Sequence, residues 1–136
     1  MKIIPFTIDK YEEVKTILVE AGSFDNVWDD FTHWSNKIKK EPNSILLATE
    51  KDEVVGCILI INEPWTSFLF RLSVKNGFRE RGIGSELIKV AEKQLKDSGA
   101  DEVAIFVKID NEELHNFYEK RGYEKGGEYR CMYKKL

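Results

Sequence analysis

Cysteine is scarce in this chain, with 2 among 136 residues, and the two are far apart at Cys57 and Cys131. Neither shows metal-ligand spacing and both lie in strand-like surroundings, so both are expected as buried free thiols, the form that suits a reducing cytoplasm. Long hydrophobic runs are also missing. The longest, residues 54–61, is too short to cross a bilayer, and the apolar opening at residues 1–5 is too short for a signal peptide. There is no excess of positive charge: a net charge of −3 and a pI near 5.5 argue against a protein built to coat nucleic acid. No Ser-His-Asp set, paired-carboxylate pattern or metal cluster stands out, and there are no repeats, linkers or low-complexity segments.

What is present is an ordinary globular composition, 42% hydrophobic and 33% charged, at a length that suits one domain spanning 1–136. Residues 2–7 read as a strand. Asp9 and Glu12 resemble a capping box ahead of a helix whose apolar stripe is Tyr11, Val14, Ile17, Leu18 and Ala21, with Gly22 at its stop. A second helix is expected over 26–40, with Trp28, Phe31, Trp34 and Ile38 on one side and Asp25, Asp29 and Asp30 at its start. Those aspartates complement a helix dipole or form an acidic lip for a cationic substrate. Residues 44–49 and 53–61 read as a hairpin about Lys51-Asp52, followed by a strand over 66–74. A long helix to Asp97 then leads to a strand over 102–109, Asn111 caps a further helix, and Gly126-Gly127 marks a closing hairpin. The order is β-α-α-β-β-β-α-β-α-β-β, an α/β fold with a mixed (α+β) sheet. Its crossover places 66–74 and 102–109 as a parallel pair.

The organising stretch is Phe78-Arg79-Glu80-Arg81-Gly82-Ile83-Gly84-Ser85, where a buried strand hands over to a helix. Such a junction offers unpaired N–H groups at the positive end of a helix dipole, glycine lets the backbone approach an anion, and two arginines add charge. A phosphate group is the expected ligand. A dinucleotide fingerprint would need a third glycine where Leu87 stands, and its first strand should lie near the N-terminus, so a nucleotide-binding oxidoreductase is disfavoured. A P-loop is absent.

Arg79-Glu80-Arg81-Gly82-Ile83-Gly84 resembles the pyrophosphate loop, R/Q-x-x-G-x-G/A, of the GNAT superfamily of N-acetyltransferases. A second match lies downstream, where residues 111–123, from Asn111 through Phe117-Tyr118 to Gly122-Tyr123, are similar to that family's Asn-x-x-(small or apolar)-x-x-Phe-Tyr-x-x-x-Gly-Phe/Tyr segment. Two departures, Asn76-Gly77 where proline is frequent and Leu114 where alanine is common, remove no group the site needs.

The resemblance implies a GNAT-like fold whose parallel strands splay at the loop end, and acetyl-CoA (coenzyme A) as cosubstrate with no metal. The backbone of Arg79, Glu80, Arg81, Gly82, Ile83, Gly84 and Ser85 would wrap the pyrophosphate. The main chain of Leu72, Ser73 and Val74 would bind the pantetheine arm, with a bulge near Leu72 and Ser73. Asn111 would meet the pantetheine end as well as cap its helix. Tyr118 would be the general acid to the leaving thiolate, where an isolated reading makes it a core tyrosine. An amine of lysine type, pKa ~10.4, must lose a proton before it attacks. Glu63 is the candidate base, against a turn carboxylate without a role or a water relay. The acceptor is then a small-molecule or peptide amine, with Trp28, Trp34 and Trp65 beside the aspartates as a candidate pocket. The family also allows a homodimer. A non-catalytic acyl-CoA-binding sensor is the alternative, and Tyr118 counts against it.

Overall fold

The aliphatic runs at the centre of the sequence alternate as strands must, and they build a four-stranded antiparallel sheet in the order β1-β2-β3-β4. A computed structural model describes all residues, 1–136, which divide into two compact units, Met1–Ile105 and Phe106–Leu136. In the first unit the strands are β1 (Lys2–Pro5), β2 (Ile45–Glu50), β3 (Glu53–Glu63) and β4 (Thr66–Val74). Lys51 and Asp52 both take positive φ, 48° and 66°, the geometry of a two-residue hairpin turn whose twist matches its strands.

Helices α1 (Tyr11–Glu20) and α2 (Phe31–Lys40) are joined by residues 21–30. Phe6, Val14, Ile17, Leu18, Trp34, Ile45, Leu47 and Cys57 form one core cluster. α3 (Ile83–Asp97) packs on β2, β3 and β4 with Ile83, Leu87, Ile88, Ala91 and Leu95 buried, each contributing roughly 1.5–3 kcal/mol for the larger side chains. Successive strand residues face opposite ways, so Cys57 enters the cluster beneath α1 while Gly56 faces α3.

Three expectations are corrected. The capping box at Asp9 does not form: Ile8–Lys10 is a single 3-10 turn, and Lys10 stands at the α1 N-cap without a side-chain cap bond. The second helix starts at Phe31 rather than 26, because the Asp25 carboxylate accepts from the N–H groups of Val27 and Trp28 and holds a local turn. Its Trp34 is buried, but Trp28 and Phe31 are exposed. The expected strand over 102–109 is reduced to one parallel bridge, Phe68 with Ala104, made by Leu69 N–H to Ala104 O at 3.1 Å and Ala104 N–H to Ser67 O at 2.9 Å.

In the second unit α4 (Glu112–Glu119) ends in a turn with Gly122 at φ 89°, closed by Tyr123 N–H to Tyr118 O at 3.2 Å. The closing hairpin is absent, since residues 124–136 form no helix or ladder. A two-residue hairpin turn at Gly126-Gly127 needs positive φ at the first position or at both, and neither glycine adopts it. The Tyr129 ring lies over Gly127 instead, about where a Cβ would stand, at 2.9 Å. No helix is long and apolar enough to cross a membrane.

Candidate functional site

Residues 75–82 leave β4 by a tight turn, with Phe78 N–H donating to Lys75 O at 3.0 Å, and reach α3 through Gly82. Gly77, Glu80 and Gly82 have φ of 85°, 61° and 79°, so the loop needs left-handed backbone at three points. The helical ladder opens with Glu86 N–H to Gly82 O at 3.0 Å, and the first N–H groups of a helix have no acceptor one turn back. No side chain caps this end, and a Cβ placed on Gly82 would meet nothing within 4 Å. The loop therefore offers open space at the positive end of a helix.

The two arginines are less free than expected. Arg79 Nε donates to Val74 O at 3.2 Å, and Arg81 Nη2 bonds both carboxylate oxygens of Glu50, at 3.1 and 3.2 Å, while lying 5.1 Å over the Phe78 ring. Glu50, which the sequence reading did not select, thus offsets one of the two charges. Gly56 was also passed over. A Cβ there would lie 3.1 Å from Ser73 O and 3.2 Å from both Ile83 Cγ2 and Leu87 Cδ1, so its absence lets the start of α3 sit close on the sheet. The signal was visible only as a glycine inside a strand pattern.

The strand leading into the loop is irregular where expected, one residue early. Cys57 faces Ser73 but Leu59 faces Phe70, so Arg71 and Leu72 together oppose Ile58. Arg71 sits at φ 55°, a conformation that costs an ordinary side chain about 1–2 kcal/mol. Ser67 and Leu69 bond Ala104 across the parallel bridge, and Leu72, Ser73 and Val74 lie further along β4 toward the loop.

The aspartates at 25–30 separate into three roles. Asp30 is the α2 N-cap, accepting from His33 N at 2.8 Å and pairing with His33 Nδ1 at 2.7 Å; these bonds hold its carboxyl below the usual range. Backbone donors from Trp28 and Val27 do the same for Asp25. Asp29 is 2% exposed and takes Asp25 N–H at 2.8 Å, Trp34 Nε1 at 3.2 Å and Arg71 Nε at 2.9 Å. Sequence reasoning missed the Asp29–Arg71 ion pair because 42 residues separate the partners. Ser23 Oγ lies 3.3 Å from Ser73 Oγ, a second link between this segment and β4.

Glu63 ends β3 at an exposed turn opposite Thr66, and its carboxylate makes no hydrogen bond or ion pair. Trp65 is exposed on the same turn. Burial pushes the Cys57 thiol up to about 12, and its Sγ donates to Arg71 O at 3.5 Å. In the second unit Asn111 Oδ1 accepts from Leu114 N at 3.1 Å and caps α4. Tyr118 is 8% exposed, packed edge-on against Phe117 and Tyr123, and burial raises its phenol against a smaller opposing effect of Arg121. A concavity of about 540 Å³ lies elsewhere, between the C-terminal end of α3 and residues 99–103.

The model of the acetyltransferase (GNAT) family matches residues 9–123. An acetyltransferase of Sodalis glossinidius (strain morsitans) is 33% identical over 125 residues, covering 91% of this chain and 87% of the relative. Ard1 from Thermoplasma volcanium superposes with a TM-score of 0.81 at 23% identity, covering 93% of this chain and 84% of its own. PaiA N-acetyltransferase from Thermoplasma acidophilum, solved in complex with coenzyme A, gives 0.78 at 23% identity over 90% of this chain and 89% of its own. The likeness to the two solved structures shows the fold.

Proposed function

The chain belongs to the GNAT family of acetyltransferases and is an acetyl-CoA-dependent acyltransferase; from that premise we propose that it transfers acetyl to a primary amine by direct attack in a ternary complex. The observation that carries the donor half is the uncapped N-terminus of α3 with left-handed Gly82 before it. The backbone of 79–85 holds the pyrophosphate there, Arg79 and Arg81 adding charge at the rim. The outer edge of Leu72, Ser73 and Val74 takes the pantetheine arm, and a strand N–H near Ser73 polarises the thioester carbonyl. Asn111 meets the pantetheine end while its Oδ1 caps α4.

Tyr118 protonates the departing coenzyme A thiolate. Burial keeps its phenol in the protonated form that the role needs, while the upward shift makes it the weaker acid. Glu63, exposed and unpaired, takes the proton from the acceptor ammonium, directly or through water. Trp28 and Phe31 supply exposed aromatic surface beside Asp25 and Asp30, and Trp65 is exposed on the β3–β4 turn; such surface suits a small-molecule or peptide amine. Trp34 leaves the proposed pocket, since it is a core residue. The family match at 9–123 runs through both compact units, which supports 1–136 as one functional domain. A buried free thiol at Cys57 suits a cytoplasmic enzyme.

The test is Gly82→Asp, which puts a side chain and a like charge into the anion site. It is expected to abolish coenzyme A binding by calorimetry while the fold is kept, and retained binding would sink the placement of the pyrophosphate. Thiol release from acetyl-CoA with a panel of amines separates the enzyme from a sensor: tight binding without turnover on any amine, and no effect of Tyr118→Phe, favours the sensor.

A further inference from the structure

The Asp29–Arg71 pair stands outside every role assigned above, yet it sits on the irregular point of the strand that leads into the loop. Arg71 is the residue at positive φ in the place where β4 carries one residue too many. An arginine has no intrinsic preference for that conformation, so something beyond local propensity must hold it. The Asp29 carboxylate does so from across the fold: both its oxygens lie within hydrogen-bond reach of Arg71 Nε, at 2.9 and 3.1 Å. Asp29 is fixed in turn by Trp34 Nε1, by Asp25 N–H and by the Tyr11 hydroxyl, which donates to its backbone oxygen at 2.7 Å. Cys57 Sγ reaches the Arg71 carbonyl, and Ser23 meets Ser73 two residues further along β4. The segment 23–29 therefore grips β4 at two points, one at the extra residue and one just after it.

We infer that Asp29 and Arg71 are positioning residues that lock the extra residue of β4 and so set the backbone of Leu72, Ser73 and Val74 for the acyl end of the cofactor. This rests on the reading of that edge as the pantetheine site. Neither side chain need touch the cofactor. Without the pair, β4 is free to relax toward regular pairing with β3, and the edge turns away from the thioester. A displacement of an ångström at a reacting group is enough to slow chemistry about a hundredfold.

The experiment uses the full chain carrying Asp29→Asn together with Arg71→Gly. That double variant leaves no unpaired buried charge, and glycine accepts the positive φ, so the fold is expected to persist. Affinity is measured by calorimetry for coenzyme A and for 3′-phospho-ADP, which has the pyrophosphate but no arm, alongside steady-state thiol release. The expected result is 3′-phospho-ADP affinity within about twofold of wild type, but kcat at saturating acetyl-CoA lower by about tenfold or more and part of coenzyme A's advantage over 3′-phospho-ADP lost. Wild-type kcat with an unchanged difference between the two ligands overturns the inference. So does an equal loss for both ligands together with a lowered folding midpoint, which marks a merely structural pair. Asp29→Asn alone covers the case in which the double variant does not fold: it keeps the side chain's size but loses the carboxylate that Arg71 Nε reaches, and a wild-type kcat there also overturns the inference. Gly82→Asp run in parallel tests the pyrophosphate placement separately: it is expected to lose both ligands with the Asp29–Arg71 pair intact, and retained binding of both would overturn that placement and not the role of the pair.

Discussion

Tyr118 shows how far a single residue can be read in isolation and where its neighbours must take over. On an apolar helical face it is a core tyrosine, and it is indeed buried between Phe117 and Tyr123; only the Asn111-to-Tyr123 motif made it a catalytic candidate. On the proposed mechanism Tyr118→Phe lowers kcat by about 10- to 100-fold with coenzyme A affinity unchanged, measured by thiol release and calorimetry. Burial favours the neutral phenol, so its folded pKa lies above the ordinary value of ~10. Stability from this group is therefore complete below ~pH 10 and is lost as pH rises through the folded value, and kcat should show no alkaline decline from Tyr118 below ~pH 10. The two thiols divide in the same way. Cys57, buried with its thiol pushed up to about 12, should resist a disulfide reagent at pH 8 in the native protein, while exposed Cys131 reacts at once and both react after unfolding. Asp29 was the residue least legible beforehand. Beside Asp25 and Asp30 it read as a helix-end charge, and its partner lies on a strand that only the fold brings near.

At the scale of elements, periodicity located β4 and α3 well because each has one strongly patterned face. The limits of β4, 66–74, agree with expectation, and α3 stops before Ser98-Gly99 as read. The α2 start failed because a carboxylate turn at Asp25 competes with the helix for the same N–H groups. The junction between β4 and α3 depends on two residues that no motif flagged. Gly56→Ala is expected to cost about 1–3 kcal/mol by forcing α3 off the sheet, and to weaken coenzyme A binding with it; a denaturant midpoint and calorimetry read both. Glu50→Gln releases Arg81 from its exposed ion pair, and should tighten coenzyme A binding by about two- to fivefold at low salt, fading as salt is added. Unchanged affinity would show that Arg81 does not face the bound phosphates.

For the molecule as a whole, the order of elements through α3 was readable and so was α4, whereas the strand expected before α4 is only a bridge and the hairpin expected after it does not form. Residues 102–109 keep only the Phe68–Ala104 bridge, and a glycine pair without positive φ makes no type I′ or II′ hairpin turn. Binding couples the proposed site to global stability: coenzyme A at a hundred times its dissociation constant adds about 2.7 kcal/mol, a rise in Tm on the order of 10 °C for a chain of this size. No shift at that saturation would contradict cofactor binding by the folded state. The extra residue at Arg71 also bears on how such a gene tolerates change. Deleting that one codon would keep the reading frame and restore an unbroken ladder between β3 and β4. On the proposed reading, the resulting protein would have the more regular strand and the poorer enzyme, so a repair of the sheet would be a lesion of the function.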